Sequence, residues 1–317
     1  MPVWVFKTSY TLKMTTQKTM LIFPGQGSQY VGMGKEVYDN FAVARQTFEE
    51  VDDALGFKLS KIIFEGPEED LKITSNTQPA LMVTSIAILR ALEGQGLDVK
   101  KMAFLAGHSL GEYSALCAAG AITLSDTARI LNSRGNFMLE SCPNGKGSMA
   151  AVLGSNIETV ERLIKETRGT DVLVIANDNS DDQVVISGSI EAIDRAVLHS
   201  KELGIKRVIK LPVSGPFHSP FMESAAKNLA VDIRNLKVST PQPSIVANIT
   251  AQLESEPERI KDLLIAQVHG NVRWRETMYF AKEQGVEKII EIGAKAVLTN
   301  IAKKMLPECE CISIEKI

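Results

Sequence analysis

The 317-residue chain contains no run approaching the ~18 consecutive apolar residues of a membrane-spanning helix, so no membrane span is expected. It has little charge excess. The formal net charge is −3, which gives no global basic field for nucleic acid or an anionic membrane surface. Cysteines are few and unpatterned: Cys117, Cys142, Cys309 and Cys311. Cys117 reads as a small core residue in an apolar helix, and Cys309-x-Cys311 has no second Cys or His pair nearby to complete a zinc site. This usage suits a reducing compartment, so a cytoplasmic location is expected. Residues 1–19 carry Lys7, Lys13 and Lys18 but no acid and no arginine. They lack the apolar core and cleavage site of a secretory signal, and read as a disordered extension or an over-extended start rather than a targeting segment.

What the chain does have is ordinary globular composition, 44% hydrophobic and 23% charged, and one stretch that organises the rest. Ala106-Gly107-His108-Ser109-Leu110-Gly111-Glu112 follows the apolar run Met102–Leu105 and precedes small and apolar residues from Ser114 to Ala121. Strand, Gly-x-Ser-x-Gly, helix is the context of a nucleophile elbow. The glycines permit a turn too tight for a Cβ. The serine is pushed out at a helix N-terminus, whose free N–H groups face incoming negative charge. Without that context the motif is a common Gly-rich turn.

Upstream, Met20–Phe23 reads as a buried strand feeding the loop Pro24-Gly25-Gln26-Gly27-Ser28-Gln29. No Lys-Ser/Thr follows, which excludes a Walker loop and leaves a loop that carries backbone N–H groups close to a reacting oxygen. Ala42–Leu55 and Leu81–Leu92 have helical spacing, the second opened by Ser75-Asn76-Thr77-Gln78-Pro79 as cap and early proline. Ile122–Leu139 is an amphipathic helix capped at Thr123 or Ser125. From Ser148 to Leu211 the order reads β-α-β-β-α-β, with a turn at Asp178-Asn179-Ser180-Asp181-Asp182. That is a ferredoxin-like arrangement, inserted as a subdomain over 144–211. A mostly parallel α/β large subdomain is expected over 20–143 and 212–317, with helices at 222–236, 257–268, 271–284 and 296–305 and strands at 244–248 and 287–291.

A reactive serine needs a base. Of the four histidines, His108 adjoins Ser109 and points elsewhere, His199 reads as exposed, and His269 sits at a helix end. His218 lies in a Pro-rich loop just after the inserted subdomain, at the mouth of a cleft, and is favoured. Serine before base matches the hydrolase-like chain order.

The ordered motifs Phe23–Gln29, Gly107–Glu112, Ser133-Arg134-Gly135, Ile175-Ala176-Asn177, Gln183–Gly188, Phe217-His218-Ser219 and Asn271-Val272-Arg273-Trp274 together resemble the malonyl-CoA:acyl carrier protein transacylases of type II fatty acid synthesis, across residues 20–305. The resemblance implies Ser109 as nucleophile, His218 as base and then acid, and Gln267 as the group orienting His218 through its backbone carbonyl or side chain. It implies Arg134 as partner of the malonyl carboxylate and the backbone N–H groups of Gln26 and Leu110 as oxyanion hole. Asn177 would lie at the cleft. Phe217 before the histidine resembles the malonyl-selective form of related polyketide acyltransferases. On its own, Arg134 would read as one more surface arginine. Glu112 reads as a dipole-favoured acid or salt-bridge partner rather than a catalytic group.

The chain departs from the family pattern at Ser180-Asp181-Asp182-Gln183, where Ser-Pro-Gly-Gln is common, and at Ile292-Gly293-Ala294-Lys295, where Gly-Pro-Gly-Lys is common. The first adds negative charge near the cleft. The implied partners are malonyl-CoA and acyl carrier protein, with no metal or resident cofactor, no nucleic acid, no membrane, and a monomer as the default. Lys201, Lys206, Arg207 and Lys210 could meet an acidic carrier, although a solvated face explains them more simply. The competing readings are a polyketide acyltransferase, a serine hydrolase clearing acyl groups from carrier protein, and a non-enzymatic carrier-binding module.

Overall fold

The computed structural model describes residues 17–142 and 145–317. Ten strands lie among them: β1 (Thr19–Phe23), β2 (Phe104–Gly107), β3 (Gly147–Leu153), β4 (Leu173–Ser180), β5 (Gln183–Ser189), β6 (Arg207–Lys210), β7 (Ile245–Val246), β8 (Leu253–Glu254), β9 (Lys288–Ile292) and β10 (Glu310–Ile314). The large sheet has the order β10-β9-β1-β2-β7-β8 and is parallel except for β8. Its inner strands β1, β2 and β7 are nearly continuous apolar runs because both faces are covered. Side chains alternate across it. Leu21 and Phe23 of β1 enter one core with Leu105, Ile245 and Ile290, while Met20 and Ile22 enter the other with Phe104, Ala106 and Trp274.

The smaller sheet is antiparallel, in the order β4-β5-β3-β6. Ala150 and Val152 of β3 pack with Val184 and Ile186 under the helices Ile157–Thr167 and Ile190–His199. The alternate residues Met149 and Ala151 join the first core of the large sheet. One pleated surface thus has two partners, and the small sheet is fixed against the large one.

Several elements depart from their sequence pattern. The acidic turn expected at 178–182 is strand as far as Ser180. Register shifts in β4 let Asn177 bridge to Val272, and Arg275 Nε donates to Asp178 at 2.9 Å. Turn-forming residues are held extended by tertiary partners. The helix expected from Asn271 starts at Trp274 for the same reason. The added Asp181 accepts from the Tyr279 hydroxyl at 2.6 Å, and Asp182 lies 4.0 Å from Lys304 Nζ, so both charges are met locally.

The helix expected from Leu81 runs over Thr74–Glu93, with Pro79 inside it. Proline has no N–H, so the Ser75 carbonyl lacks its helical donor. Asn132 Nδ2 supplies one at 2.9 Å from the helix Leu124–Ser141. That helix is capped by Thr123, whose side chain accepts from the Asp126 N–H. The reading of 1–19 as an extension lies outside the described residues through residue 16, and Thr19 already pairs with Lys288. The short helices Lys35–Asn40, Leu59–Glu65 and Glu68–Lys72, and strand β10, carry periods too short to be seen in sequence. No helix among the described residues is long and apolar enough to cross a membrane.

The helices Thr74–Glu93 and Leu124–Ser141 cross at Gly135. A Cβ there would stand 2.4 Å from Ser75 Cα, against backbone that cannot rotate away. Gly135→Ala is therefore expected to cost about 3 kcal/mol by overpacking, read as a fall in Tm of roughly 6 °C.

Candidate active site

β2 delivers Ser109 to the junction of strand and helix. Ser109 has φ 54 and ψ −109, and the helix Leu110–Ala118 begins at the next residue. A β-carbon at positive φ is strained and persists only where the surroundings over-determine it. Two constraints do so. Gly111 lies so close to β1 that a Cβ would stand 2.3 Å from the Phe23 carbonyl oxygen. Asn248, just after β7, spans the turn: the Ser109 N–H donates to its Oδ1 at 2.8 Å, and its Nδ2 donates to the Gly107 carbonyl at 2.7 Å.

Ser109 Oγ lies 2.8 Å from His218 Nε2. His218 Nδ1–H is shared by the carbonyls of Gln267 (2.9 Å) and Gly270 (3.0 Å). Carbonyls only accept, so the proton sits on Nδ1 and Nε2 offers its lone pair to the serine hydroxyl. Burial, and then the neighbouring Arg134 charge and His108, push the His218 pKa down to about 3. The imidazole is neutral at physiological pH and ready to accept a proton.

Arg134, only 1% exposed, projects from the helix Leu124–Ser141. Nη1 donates to Gln78 Oε1 at 2.7 Å. Nη2 donates to Gln267 Oε1 at 2.9 Å and to Ser109 Oγ at 3.1 Å. Among the described residues its Nε has no hydrogen-bond partner. Such a site presents a fixed positive charge beside a hydroxyl that shares its proton with a neutral base. Such an arrangement can activate a hydroxyl and hold an anionic group beside it.

The structure places the other expected residues as follows. Gln267 meets His218 through its backbone carbonyl, while its side chain bridges Arg134 to Glu112 and the Ser109 carbonyl. Leu110 is the first residue of its helix, where N–H groups have no intrahelical acceptor. The loop bearing Gln26 adjoins it, because a Cβ on Gly25 would stand 2.8 Å from the His108 carbonyl oxygen. Phe217 is buried directly before His218. Asn177 is buried in the bulge of β4. His108 turns away from Oγ, and its Nε2–H donates to Asn179 Oδ1 at 2.9 Å. His199 is not simply exposed: carboxylates of Glu166 (2.8 Å) and Glu202 (2.9 Å) flank its ring.

Three members of this site carry little signal of their own in the sequence, Gln78, Asn179 and Asn248, and a fourth, Glu112, has partners that the sequence does not reveal. Gln78 and Asn179 were hidden in segments read as cap and turn. Asn248 was taken as a strand end, although an amide closing an apolar strand was the available signal. Glu112 lies in the first turn of its helix, as its dipole-favoured reading requires, but it is buried and forms no ion pair within 4 Å among the described residues; its partners are Gln267 and Asn248.

The acyl transferase domain family matches residues 20–317. The chain belongs to the acyl transferase family. It is 41% identical over 298 residues to the malonyl CoA-acyl carrier protein transacylase of Bacillus subtilis, spanning 94% of this chain and 93% of that one. Among solved structures, the acyl-carrier-protein S-malonyltransferase from Bartonella henselae superposes with a TM-score of 0.92 at 46% identity, covering 94% and 95% of the two chains. A malonyl transacylase solved with its type II polyketide acyl carrier protein gives 0.92 at 39%, covering 95% and 96%. In this acyltransferase Ser109 stands at the end of β2, within hydrogen-bond reach of His218 and Arg134.

The depressed His218 pKa has a consequence for stability. The unfolded chain binds a proton there below about pH 6.5, and the folded chain does so only near 3. Folding stability from this group is therefore present above pH 6.5 and lost as the pH falls. Relative to the unmodified protein, His218→Gln is expected to gain about 2 kcal/mol between pH 7.5 and pH 5, measured by urea unfolding at each pH.

Proposed function

We propose that the chain transfers the malonyl group from malonyl-CoA to the phosphopantetheine thiol of an acyl carrier protein, through an ester on Ser109. The observation that carries this reading is the buried Arg134 guanidinium 3.1 Å from Ser109 Oγ. A site for neutral acyl chains gains nothing from a charge that is costly to bury. A planar guanidinium can hold a carboxylate by two parallel hydrogen bonds.

In the proposed reaction His218 Nε2 takes the Ser109 proton as Oγ attacks the thioester carbonyl. The oxyanion is held by the backbone N–H groups of Gln26 and Leu110, each worth about 3 kcal/mol. Collapse expels coenzyme A, whose sulfur takes the proton back from His218. The carrier thiol then repeats the steps in reverse. Arg134 is one of the groups holding the His218 pKa down, so a malonyl carboxylate that cancels its charge makes His218 a stronger base once the correct substrate is seated. Two backbone carbonyls are enough to hold the ring, because a thioester is already an activated donor.

The same reading makes the turn at Ser109 a nucleophile elbow. It makes 144–211 a ferredoxin-like subdomain inserted in a large subdomain formed by 20–143 and 212–317. The order β4-β5-β3-β6 supports the insertion. Phe217 and Asn177 line the acyl and cleft sides. Coenzyme A is a substrate, and the reading requires no metal or resident cofactor. The enzyme acts as a cytoplasmic monomer in supplying malonyl carrier protein for fatty acid synthesis. A carrier protein of a polyketide system is the second reading, favoured by the relative solved with such a carrier.

Intact-mass analysis after mixing with malonyl-CoA tests the proposal. The expected result is a gain of one malonyl group, lost in Ser109→Ala, formed about a thousandfold more slowly in His218→Ala, and cleared on adding carrier protein, which gains the label. Release of free malonate instead of labelled carrier would convert the reading to a hydrolase. No adduct from malonyl-CoA would overturn it.

A further inference from the structure

Glu112 is a buried titratable group beside the site that the proposed mechanism leaves unused. Its side chain leaves the first turn of the helix Leu110–Ala118 and accepts two bonds on Oε2, from Gln267 Nε2 at 2.7 Å and from the Asn248 N–H at 3.1 Å. Gln267 is oriented by that first bond. An amide that donates from Nε2 to a carboxylate must present Oε1 on its other side, and there Oε1 accepts from Arg134 at 2.9 Å. Asn248 carries the second bond to the Ser109 N–H. One carboxylate thus reaches the proposed clamp through the Gln267 side-chain amide, and the backbone of the proposed nucleophile through Asn248, whose own N–H it accepts and whose Oδ1 holds the Ser109 N–H.

The charges around it define what it can do. Arg134 faces it from the helix Leu124–Ser141, Tyr113 from its own helix and Glu254 from β8. His218 shares Gln267 with it. Strands β1, β2 and β7 bring no titratable side chain to this helix. The helix Thr74–Glu93 brings Arg90 to the far end, near Cys117. Glu112 is therefore the carboxylate that answers the buried Arg134 charge when no substrate is present.

We propose that Glu112 is a positioning residue and charge counterweight for the Arg134 clamp, balancing the guanidinium through Gln267 in the empty site and taking up a proton when an acyl carboxylate arrives. The proposal rests on the malonyl-transfer reading. Arrival of malonyl puts two carboxylates against one guanidinium, and like charges sharing a site cannot both stay ionised cheaply. Oε2 is occupied by two N–H donors, so Oε1 carries the new proton, which comes from solvent. Burial already pushes this carboxyl up to about 7, against the hydrogen bonds from Gln267 and Asn248 and then the Arg134 charge, all of which pull it down. Cancelling Arg134 removes that pull and raises it further.

The exchange of malonyl from coenzyme A thiol to serine hydroxyl releases and consumes no proton of its own near neutrality. Proton uptake during loading is therefore a direct readout. The test mixes the whole protein with malonyl-CoA in weak buffer containing a pH indicator, with intact mass counting the acyl-enzyme formed. Uptake of about half a proton per acyl-enzyme is expected at pH 7, larger at pH 8 and absent near pH 5. Glu112→Gln, which keeps an acceptor for Gln267, should form acyl-enzyme without uptake. It should also lose the several-fold fall in malonyl-CoA kcat/KM that the proposal predicts for the unmodified enzyme above pH 7. If that variant does not fold, the pH series decides: uptake growing from pH 6 to 8 supports Glu112, and uptake growing toward pH 4 assigns the proton to His218 and overturns the proposal. Full acyl-enzyme with no proton change also overturns it, while leaving malonyl transfer standing. Absence of acyl-enzyme removes the transfer reading and the proposal with it.

Discussion

A full positive charge buried beside a serine is the constraint on which this structure depends. Arg134 reaches no carboxylate within ion-pair distance among the described residues. An unpaired buried charge is among the costliest features a fold can carry. The protein meets that cost with amide oxygens, Gln78 on one side and Gln267 on the other, and each must be delivered from a different element. Gly135 lets two helices touch so that Gln78 is within reach. The helix Pro257–Gln267 ends on the residue that serves both Arg134 and His218. The amide ligands hold the guanidinium without a direct ion pair, and Glu112 balances its charge only through Gln267, which leaves the guanidinium able to receive the proposed acidic acyl group.

The second constraint is strain. Ser109 and His218 both hold positive φ without being glycine. The two residues proposed to exchange a proton are thus two of the four non-glycine positions, among the described residues, that the fold holds at positive φ. Asn248 fixes the first. The second is fixed through Phe217, buried in the main core, and through the two carbonyls on Nδ1. The 2.8 Å contact is held by packing that continues into both cores. The small sheet joins this arrangement by packing one face on the large unit and by sending Asn179 to His108.

Much of this was legible in the sequence because the strongest signals are local. Strand, Gly-x-Ser-x-Gly, helix marked Ser109. The helix Ala42–Leu55 matches its periodic pattern end to end. His218 stood out by its place after the insertion, and Arg134 only through the family resemblance, since a single arginine on a helix carries no period. What stayed hidden depends on contacts distant in sequence. Asp178–Ser180 reads as a turn until Val272 and Arg275 are beside it. Pro79 reads as a helix start until Asn132 supplies the missing donor. Asn179, Asn248 and Glu112 are common residues whose importance lies in partners 71, 139 and 155 positions away.

The central claim is that the Arg134 charge selects the acyl group. The direct measurement is the ratio of kcat/KM for malonyl-CoA to that for acetyl-CoA in the unmodified enzyme and in Arg134→Ala. The account predicts that the ratio collapses by about a hundredfold or more, through loss of a charge-assisted bidentate contact worth about 3 kcal/mol, while acetyl transfer is retained or rises. A ratio that survives the substitution in a folded enzyme would contradict it and place acyl selection elsewhere in the cleft.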